Sequence, residues 1–379
     1  MRGRLRTLTI LVVLAGCDKP AATPLTEPAP TPVVANAPDP EPPVANPEPE
    51  TPRVVVVDPL AQEIHLGKLQ QLSFGGENAE AYLSNDEAKL VFQSTRDGGA
   101  CDQIYTMGLD GTDIKRVSSG KGRTTCSYFL PGDTRILYAS THAAADDCLP
   151  PPDRSHGYVW KLYPEFEIYT ALTDGSDIQP LITGPGYDAE ATVSPTGDRI
   201  VFTSTRSGDP ELYSSKIDGT DIKRLTKTPG YDGGAFFSAD GKRIVYRANH
   251  PKGKEELAKY KAIIEQGLVR PTRLELFVAN ADGSKAKQVT SNGKANFGPY
   301  FHPDGKRIVF ASNAHDEQGR DFDLYVVGID GKNLERVTFN PSFDGFPMFT
   351  KDGKRLVFAS NRNAAKEGDT NVFVTEWKD

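Results

Sequence analysis

The residues best suited to chemistry in this chain are acids that follow an aromatic. Tyr187-Asp188-Ala189-Glu190, Tyr231-Asp232-Gly233-Gly234 and Phe343-Asp344-Gly345-Phe346 share that pattern, and Asn296-Phe297-Gly298 and Asn78-Ala79-Glu80 stand at equivalent places. Carboxylates at Glu80, Asp188, Glu190, Asp232 and Asp344 could bind a cation or a cationic group of a partner. The plainer reading is that each Asp caps its own turn by accepting backbone N–H bonds, and recurrence favours it. Glu80 and Glu190 do not recur, which makes them the sharper candidates.

A second group lies between Thr141 and Phe166, where Tyr158, Trp160 and Tyr163 accompany His142, His156 and Cys148. Such aromatics form either a ligand platform or a small core that holds a long loop down. Cys101, Cys126 and Cys148 point to one disulfide in an oxidising compartment, and Cys101–Cys126 is the expected pair. Zinc held by these thiolates with His142 or His156 is the weaker reading, because the spacing matches no usual zinc motif. His302 has no evident partner and reads as structural. Arg96, Arg206 and Arg362 recur after Ser-x, so they read as structural partners for loop acids or carbonyls rather than as catalytic groups.

The elements that position these residues are written in a repeat. Phe301-His302-Pro303-Asp304-Gly305-Lys306-Arg307-Ile308-Val309-Phe310-Ala311-Ser312 is a tight-turn signal followed by a strand signal. Copies end at Phe92, Tyr138, Phe202, Tyr246, Phe310 and Phe358, with spacings of 46, 64, 44, 64 and 48 residues. Two spacings are long, so insertions are expected at 141–166 and 251–272. Each unit but the last continues with Leu-Tyr or its equivalent, an Asp-Gly turn and a short apolar run, giving four strands, a to d. Units of about 45 residues with four strands are the mark of a β-propeller. Strand b is apolar on both faces, as a sheet sandwiched between neighbouring blades must be.

The last unit stops after strand c. Gly67-Lys68-Leu69-Gln70-Gln71-Leu72 matches Gly331–Val337, so residues 64–74 are expected to supply the missing outer strand. The predicted fold is all-β: a six-bladed propeller of four-stranded antiparallel blades over 64–379, closed by an N-terminal strand. One short helix is expected at 255–266 inside the second insertion, with Leu257, Tyr260, Ile263 and Ile264 on one face. The a–b and c–d turns are short and share one end of the disc. The d–a and b–c connections, including both insertions, share the other, and that loop face is where binding is expected.

Residues 1–17 read as an export signal. Arg2, Arg4 and Arg6 precede an apolar Leu8–Ala15, and Leu14-Ala15-Gly16-Cys17 resembles a bacterial lipobox with Cys17 as the lipidated residue. Residues 18–58 read as a Pro-rich tether, with 12 prolines between 18 and 53. The formal charge is −7, which argues against nucleic acid as a partner. No apolar run is long enough for a transmembrane helix. The expected location is the bacterial envelope, periplasmic side or cell surface, with the Cys17 lipid as the only membrane contact.

The repeat Pro-Asp-Gly-Lys-Arg-Ile-Val-Phe-Ala-Ser, then Leu-Tyr-Val-x-x-x-Asp-Gly, then Arg-Val-Thr-Phe, resembles the TolB-type propeller repeat in all six units. The resemblance implies an envelope propeller that binds protein partners. The α/β domain that precedes the propeller in the periplasmic TolB protein has no counterpart here; a lipid anchor and tether take its place. No Gly-x-Ser-x-Gly elbow occurs. The expected function is a monomeric, non-catalytic module that binds a protein or peptide on its loop face, with no catalytic residue and no cofactor assigned. The rival is a small-ligand binder or enzyme at the channel mouth, using Glu80, Glu190 and the aromatic insertion with a divalent cation.

Overall fold

The computed structural model describes residues 54–379 apart from His156; Cys17 and the lipobox lie outside the described residues. Six antiparallel sheets follow one another. Blade 1 is Asn78–Leu83, Lys89–Ser94, Gln103–Gly108 and Lys115–Arg116. Blade 2 is Thr124–Phe129, Arg135–Ser140, Glu167–Leu172 and Gln179–Ile182, and blade 3 is Asp188–Val193, Arg199–Ser204, Glu211–Lys216 and Lys223–Arg224. Blade 4 is Tyr231–Phe237, Arg243–Asn249, Glu275–Asn280 and Lys287–Gln288, and blade 5 is Asn296–Phe301, Arg307–Ser312, Asp323–Gly328 and Glu335–Arg336. Blade 6 is Asp344–Phe349, Arg355–Ser360 and Asn371–Trp377, completed by Leu66–Gln71 from the front of the chain.

Strand b carries the core. Ile308, Val309 and Phe310 are wholly buried, as are Leu90, Val91 and Phe92 in blade 1, because each sheet is covered on both faces by its neighbours. The turns between strands are built by side chains. Asp110 accepts the Thr112 N–H at 3.1 Å, and Asp218 does the same for Thr220 at 3.0 Å. Between these residues the chain must turn in the left-handed region; at Gly219 (φ 79°) a Cβ would also lie 2.2 Å from the Leu181 carbonyl oxygen.

The closure is the one the repeat implies: Leu69 pairs with Thr375 and Gln71 with Phe373. One strand exceeds expectation. Val55–Val57, placed in the tether by its sequence, pairs with Leu69–Gln71 as a fifth strand of blade 6. The physical reason is edge protection. In four of the other blades the outermost strand has two residues, whereas Leu66–Gln71 has six and would leave a long unpaired edge. The helix of the second insertion is Gly253–Ile264. Its Tyr260 and Ile264 pack on a cluster that includes Leu162, Tyr187, Tyr231 and Val269, so the apolar stripe faces the propeller.

Candidate functional site at the channel mouth

Strand a of every blade contains a bulge, and the bulge builds the site. Pairing with strand b slips after Ala79, Thr125, Ala189, Gly233, Phe297 and Gly345. The next residue in each blade has a positive φ between 50° and 60°: Glu80, Cys126, Glu190, Gly234, Gly298 and Phe346. A bulge re-aims a side chain, and repeated six times it sets one residue per blade around the axis. Glu80, Cys126 and Glu190 occupy three consecutive blades; two glycines and a phenylalanine occupy the rest.

The Gly234 position is filled from strand b. A Cβ there would lie 2.2 Å from Arg247 Nη1. Arg247 is 8 % exposed and pairs with the Glu190 carboxylate. Glu190 also accepts from Thr203 at 2.7 Å, from the Gly234 N–H at 2.9 Å and from the Tyr231 hydroxyl at 3.2 Å. The Trp160 ring lies 5.2 Å from the guanidinium, a cation–π cover.

Glu80 and Cys126 are half-buried and meet by a side-chain hydrogen bond. Burial pushes the Glu80 carboxyl up to about 7, against the Cys126 hydrogen bond, with the Glu190 charge adding to the rise. Burial, with the charges of Glu80 and Glu190, holds the Cys126 thiol well above its usual range. This is the opposite of a nucleophilic thiolate. Gln93 fixes the local backbone by accepting from the Cys126 N–H at 3.2 Å and the Thr125 hydroxyl at 3.0 Å.

Two residues further along strand a, the channel is plugged. Phe236 meets Tyr82 at 5.3 Å, Tyr128 at 6.4 Å and Tyr300 at 5.6 Å between ring centroids. Blades 5 and 6, with Trp160 from the blade 2 insertion, carry an aromatic arc on the loop side: Trp160 to Phe297 at 5.3 Å, Phe297 to Phe322 at 5.2 Å, Phe322 to Phe343 at 6.5 Å and Phe343 to Phe346 at 6.1 Å. The mouth therefore has an acidic half and an aromatic half over a closed floor.

The insertions join on this face. Trp160–Lys161 of the first pairs with Leu268–Val269 of the second. The Tyr163 hydroxyl donates to the Pro150 carbonyl, and its ring packs on Phe166, so Tyr163 holds the loop together. Tyr158 is 54 % exposed and accepts from Trp160 Nε1 at 3.1 Å. Val159, Leu162 and Phe166 make the small buried core that holds the insertion down, while Trp160 is half-buried over Arg247.

Sequence comparison matches the family described as the TolB beta propeller domain at residues 159–269 and 267–379. The chain belongs to the TolB β-propeller family. No curated protein matches it. Among solved structures, a putative TolB from Agrobacterium tumefaciens is similar at 18% identity and TM-score 0.51, covering 80% of this chain and 91% of that one. TolB from Acinetobacter baumannii is similar at 19% identity and TM-score 0.53, covering 76% of this chain and 63% of that one. An oligogalacturonate lyase from Vibrio parahaemolyticus reaches TM-score 0.50 at 12% identity, covering 86% and 96%. At these identities the likeness is one of fold.

On this TolB-type propeller the three aspartates leave the mouth. Asp188, Asp232 and Asp344 are 0 % exposed at the start of strand a. They bind Arg206 at 2.8 Å, His250 at 2.9 Å and Arg362 at 2.7 Å. Arg362 also holds Glu63 at 3.0 Å. The expectation that these acids bind a partner is corrected accordingly, and so is the view that they cap turns: they are buried ion-pair members that clamp strand a to the end of strand b. Asn78 and Asn296 do this neutrally, accepting from Ser94 at 2.9 Å and Ser312 at 2.8 Å. Arg206 and Arg362 are the structural partners their recurrence suggested. Arg96, whose blade has Asn78 in place of the acid, lies over the Phe92 and Tyr105 rings. His302 is structural too, 3.1 Å from Asp304 and packed on Phe349.

The disulfide is also corrected. Cys101 pairs with Cys148, their Cα atoms 6.0 Å apart, and Cys126 is the free thiol among the described residues. The bulge turns Cys126 toward Glu80 and the axis, while Cys101 and Cys148 sit in neighbouring b–c connections. Sequence reasoning missed Arg247. It also missed one His–Asp group: His315 Nε2 lies 3.1 Å from Asp321 and 3.2 Å from Asp323. Arg336 already pairs with Asp323, so one of the two carboxylates has its counterion within the group. Two open clefts, about 720 and 420 Å³, lie on the turn face among residues such as Asp110 and Asp330, whose carboxylates cap their own turns.

Proposed function

We propose that this TolB-family propeller is an envelope lipoprotein, anchored through Cys17, that binds a protein or peptide partner on its loop face without catalysing a reaction. One observation carries the reading. The channel is plugged by Tyr82, Tyr128, Phe236 and Tyr300, so the mouth is a surface with an acidic and an aromatic half rather than a chamber. A surface of that kind suits a macromolecule, whose aromatic anchors and rim charges need no enclosure. The rival reading needs a cation at Glu80 and Glu190, but Arg247 already occupies the Glu190 carboxylate.

The test is photocrosslinking in cells. A photoreactive amino acid at Tyr158, on the loop face, is compared with one at Lys306, on the turn face. Discrete protein adducts from position 158 and none from 306 support the proposal. Equal labelling from both, or none from 158, overturns it.

A further inference from the structure

We infer that the channel mouth is a subsite for one cationic group of the partner, an ammonium or guanidinium, which docks on Glu80 beside Phe346. The inference rests on the partner-binding reading and names the chemistry the partner must bring.

The ring places three ionisable charged groups within electrostatic reach of one another: Glu80, Glu190 and Arg247. Arg247 is committed. It pairs with Glu190, donates to the Tyr231 hydroxyl at 3.1 Å and is covered by Trp160. Glu80 forms no ion pair among the described residues, and its side chain is held only by the weak donor Cys126. Asp102, which also acts on Glu80, is itself 3.8 Å from Arg123. With Glu80 ionised, the ring carries one uncompensated negative charge.

The neighbouring ring position on the other side, in blade 6, is Phe346. Its ring lies over Gly298, where a Cβ would be 3.6 Å from Phe346 Cδ1, and it continues into Phe343 and the arc. A carboxylate lacking a counterion beside an aromatic face is what an ammonium or guanidinium recognises: the first supplies the charge, the second a cation–π contact and a seat for the apolar stem. An anion would be repelled. A neutral group would cover the carboxylate and leave its charge unpaired. A divalent ion needs several free oxygen ligands, and the rest of the ring offers a thiol, a paired carboxylate, two glycines and a phenyl ring.

The test uses three peptides titrated calorimetrically into the full chain in detergent. They are acetyl-Phe-Lys-Phe-amide, acetyl-Phe-norleucine-Phe-amide, and Phe-norleucine-Phe-amide with a free N-terminus. A cationic peptide binding about tenfold or more tightly than the uncharged one, with Glu80→Gln removing that ratio, supports the subsite. The two cationic peptides tell a side-chain ammonium from a chain terminus. Equal binding of all three, no binding of any, or a ratio that survives Glu80→Gln overturns it. If Glu80→Gln fails to fold, the wild-type ratio and its loss in high salt decide the matter. Crosslinks from position 158 without charge selectivity would sink this inference alone. Charge selectivity without crosslinks would sink the partner reading instead.

Discussion

Replacing Arg247 by Met is the sharpest test of how the mouth is built. The substitution keeps most of the apolar stem under Trp160 and removes the guanidinium that pairs with Glu190. The two side chains are 10 % and 12 % exposed, so solvent screens the pair little. Breaking a buried pair by removing one partner costs about 3–5 kcal/mol, because the charge left behind is uncompensated. Glu190 retains Thr203, Tyr231 and the Gly234 N–H, which places the expected cost near the lower end, about 3 kcal/mol. For a domain of this size that is a fall in melting temperature of about 6 °C, at about 2 °C per kcal/mol. Removing both charges, as Glu190→Gln with Arg247→Met, should recover much of the loss, since a buried pair is often worth little against neutral replacements. Thermal unfolding followed by tryptophan fluorescence and circular dichroism reads all four corners of the cycle. A single-mutant cost below about 1 kcal/mol, or additive single costs, would refute the claim that this pair organises the mouth.

Three further outcomes follow from the same structure. The Glu80 carboxyl is raised to about 7 in the folded protein by burial, against about 4.3 in an unfolded chain. The unfolded state loses its proton first, so Glu80 withdraws stability as pH rises from about 4.3 to 7. Glu80→Gln should therefore gain on wild type by up to about 3 kcal/mol between pH 5 and pH 8, and a pH-independent difference in denaturant titrations would contradict the assignment. Denatured, unreduced protein should show Cys126 as the one free thiol among Cys101, Cys126 and Cys148, and reduction should cost about 2–4 kcal/mol by freeing a 47-residue loop; peptide mapping that finds Cys126 in a disulfide would reverse the pairing. Phe310→Ala, at a wholly buried strand b position, should cost about 3–5 kcal/mol in urea unfolding, and a cost under about 1 kcal/mol would contradict the sandwiched sheet.

The fold was readable in the sequence because its signals are local and repeated. An Asp-Gly turn followed by Ile-Val-Phe states its strand without outside help, and six copies remove the ambiguity of any single one. The site was less readable because it depends on a bulge. Cys126 read as a loop cysteine ready for a disulfide, yet one extra residue in strand a turns it to the axis. The alignment did hold a usable signal: Glu80, Cys126, Glu190, Gly234, Gly298 and Phe346 each stand two residues after a polar residue at the start of strand a, Asn78, Thr124, Asp188, Asp232, Asn296 and Asp344. Arg247 carried a signal as well. It is the only charged residue at a strand b position where other blades have Gln93, Ala139, Thr203, Ala311 and Ala359. The burial of Asp188, Asp232 and Asp344 was not legible, because it depends on where the Arg and His side chains from strand b arrive.

The pairing of Trp160–Lys161 with Leu268–Val269 changes the mechanics of the disc. In a plain propeller each blade touches only the blade before and the blade after, and six seams share any strain. Here a strap from blade 2 clasps a strap from blade 4, forming a chord across blade 3. The seams on either side of blade 3 can no longer part independently, since a gap at one must stretch the clasp. The seams between blades 4 and 5, 5 and 6, and 6 and 1 carry instead a single parallel bridge each, Leu274 with Ala295, Phe322 with Phe343 and Glu77 with Thr370. Parting one of those seams breaks one bridge, whereas parting either seam of blade 3 must also stretch the clasp; Phe346 and Glu80 occupy the bulge positions on the two sides of the seam between blades 6 and 1.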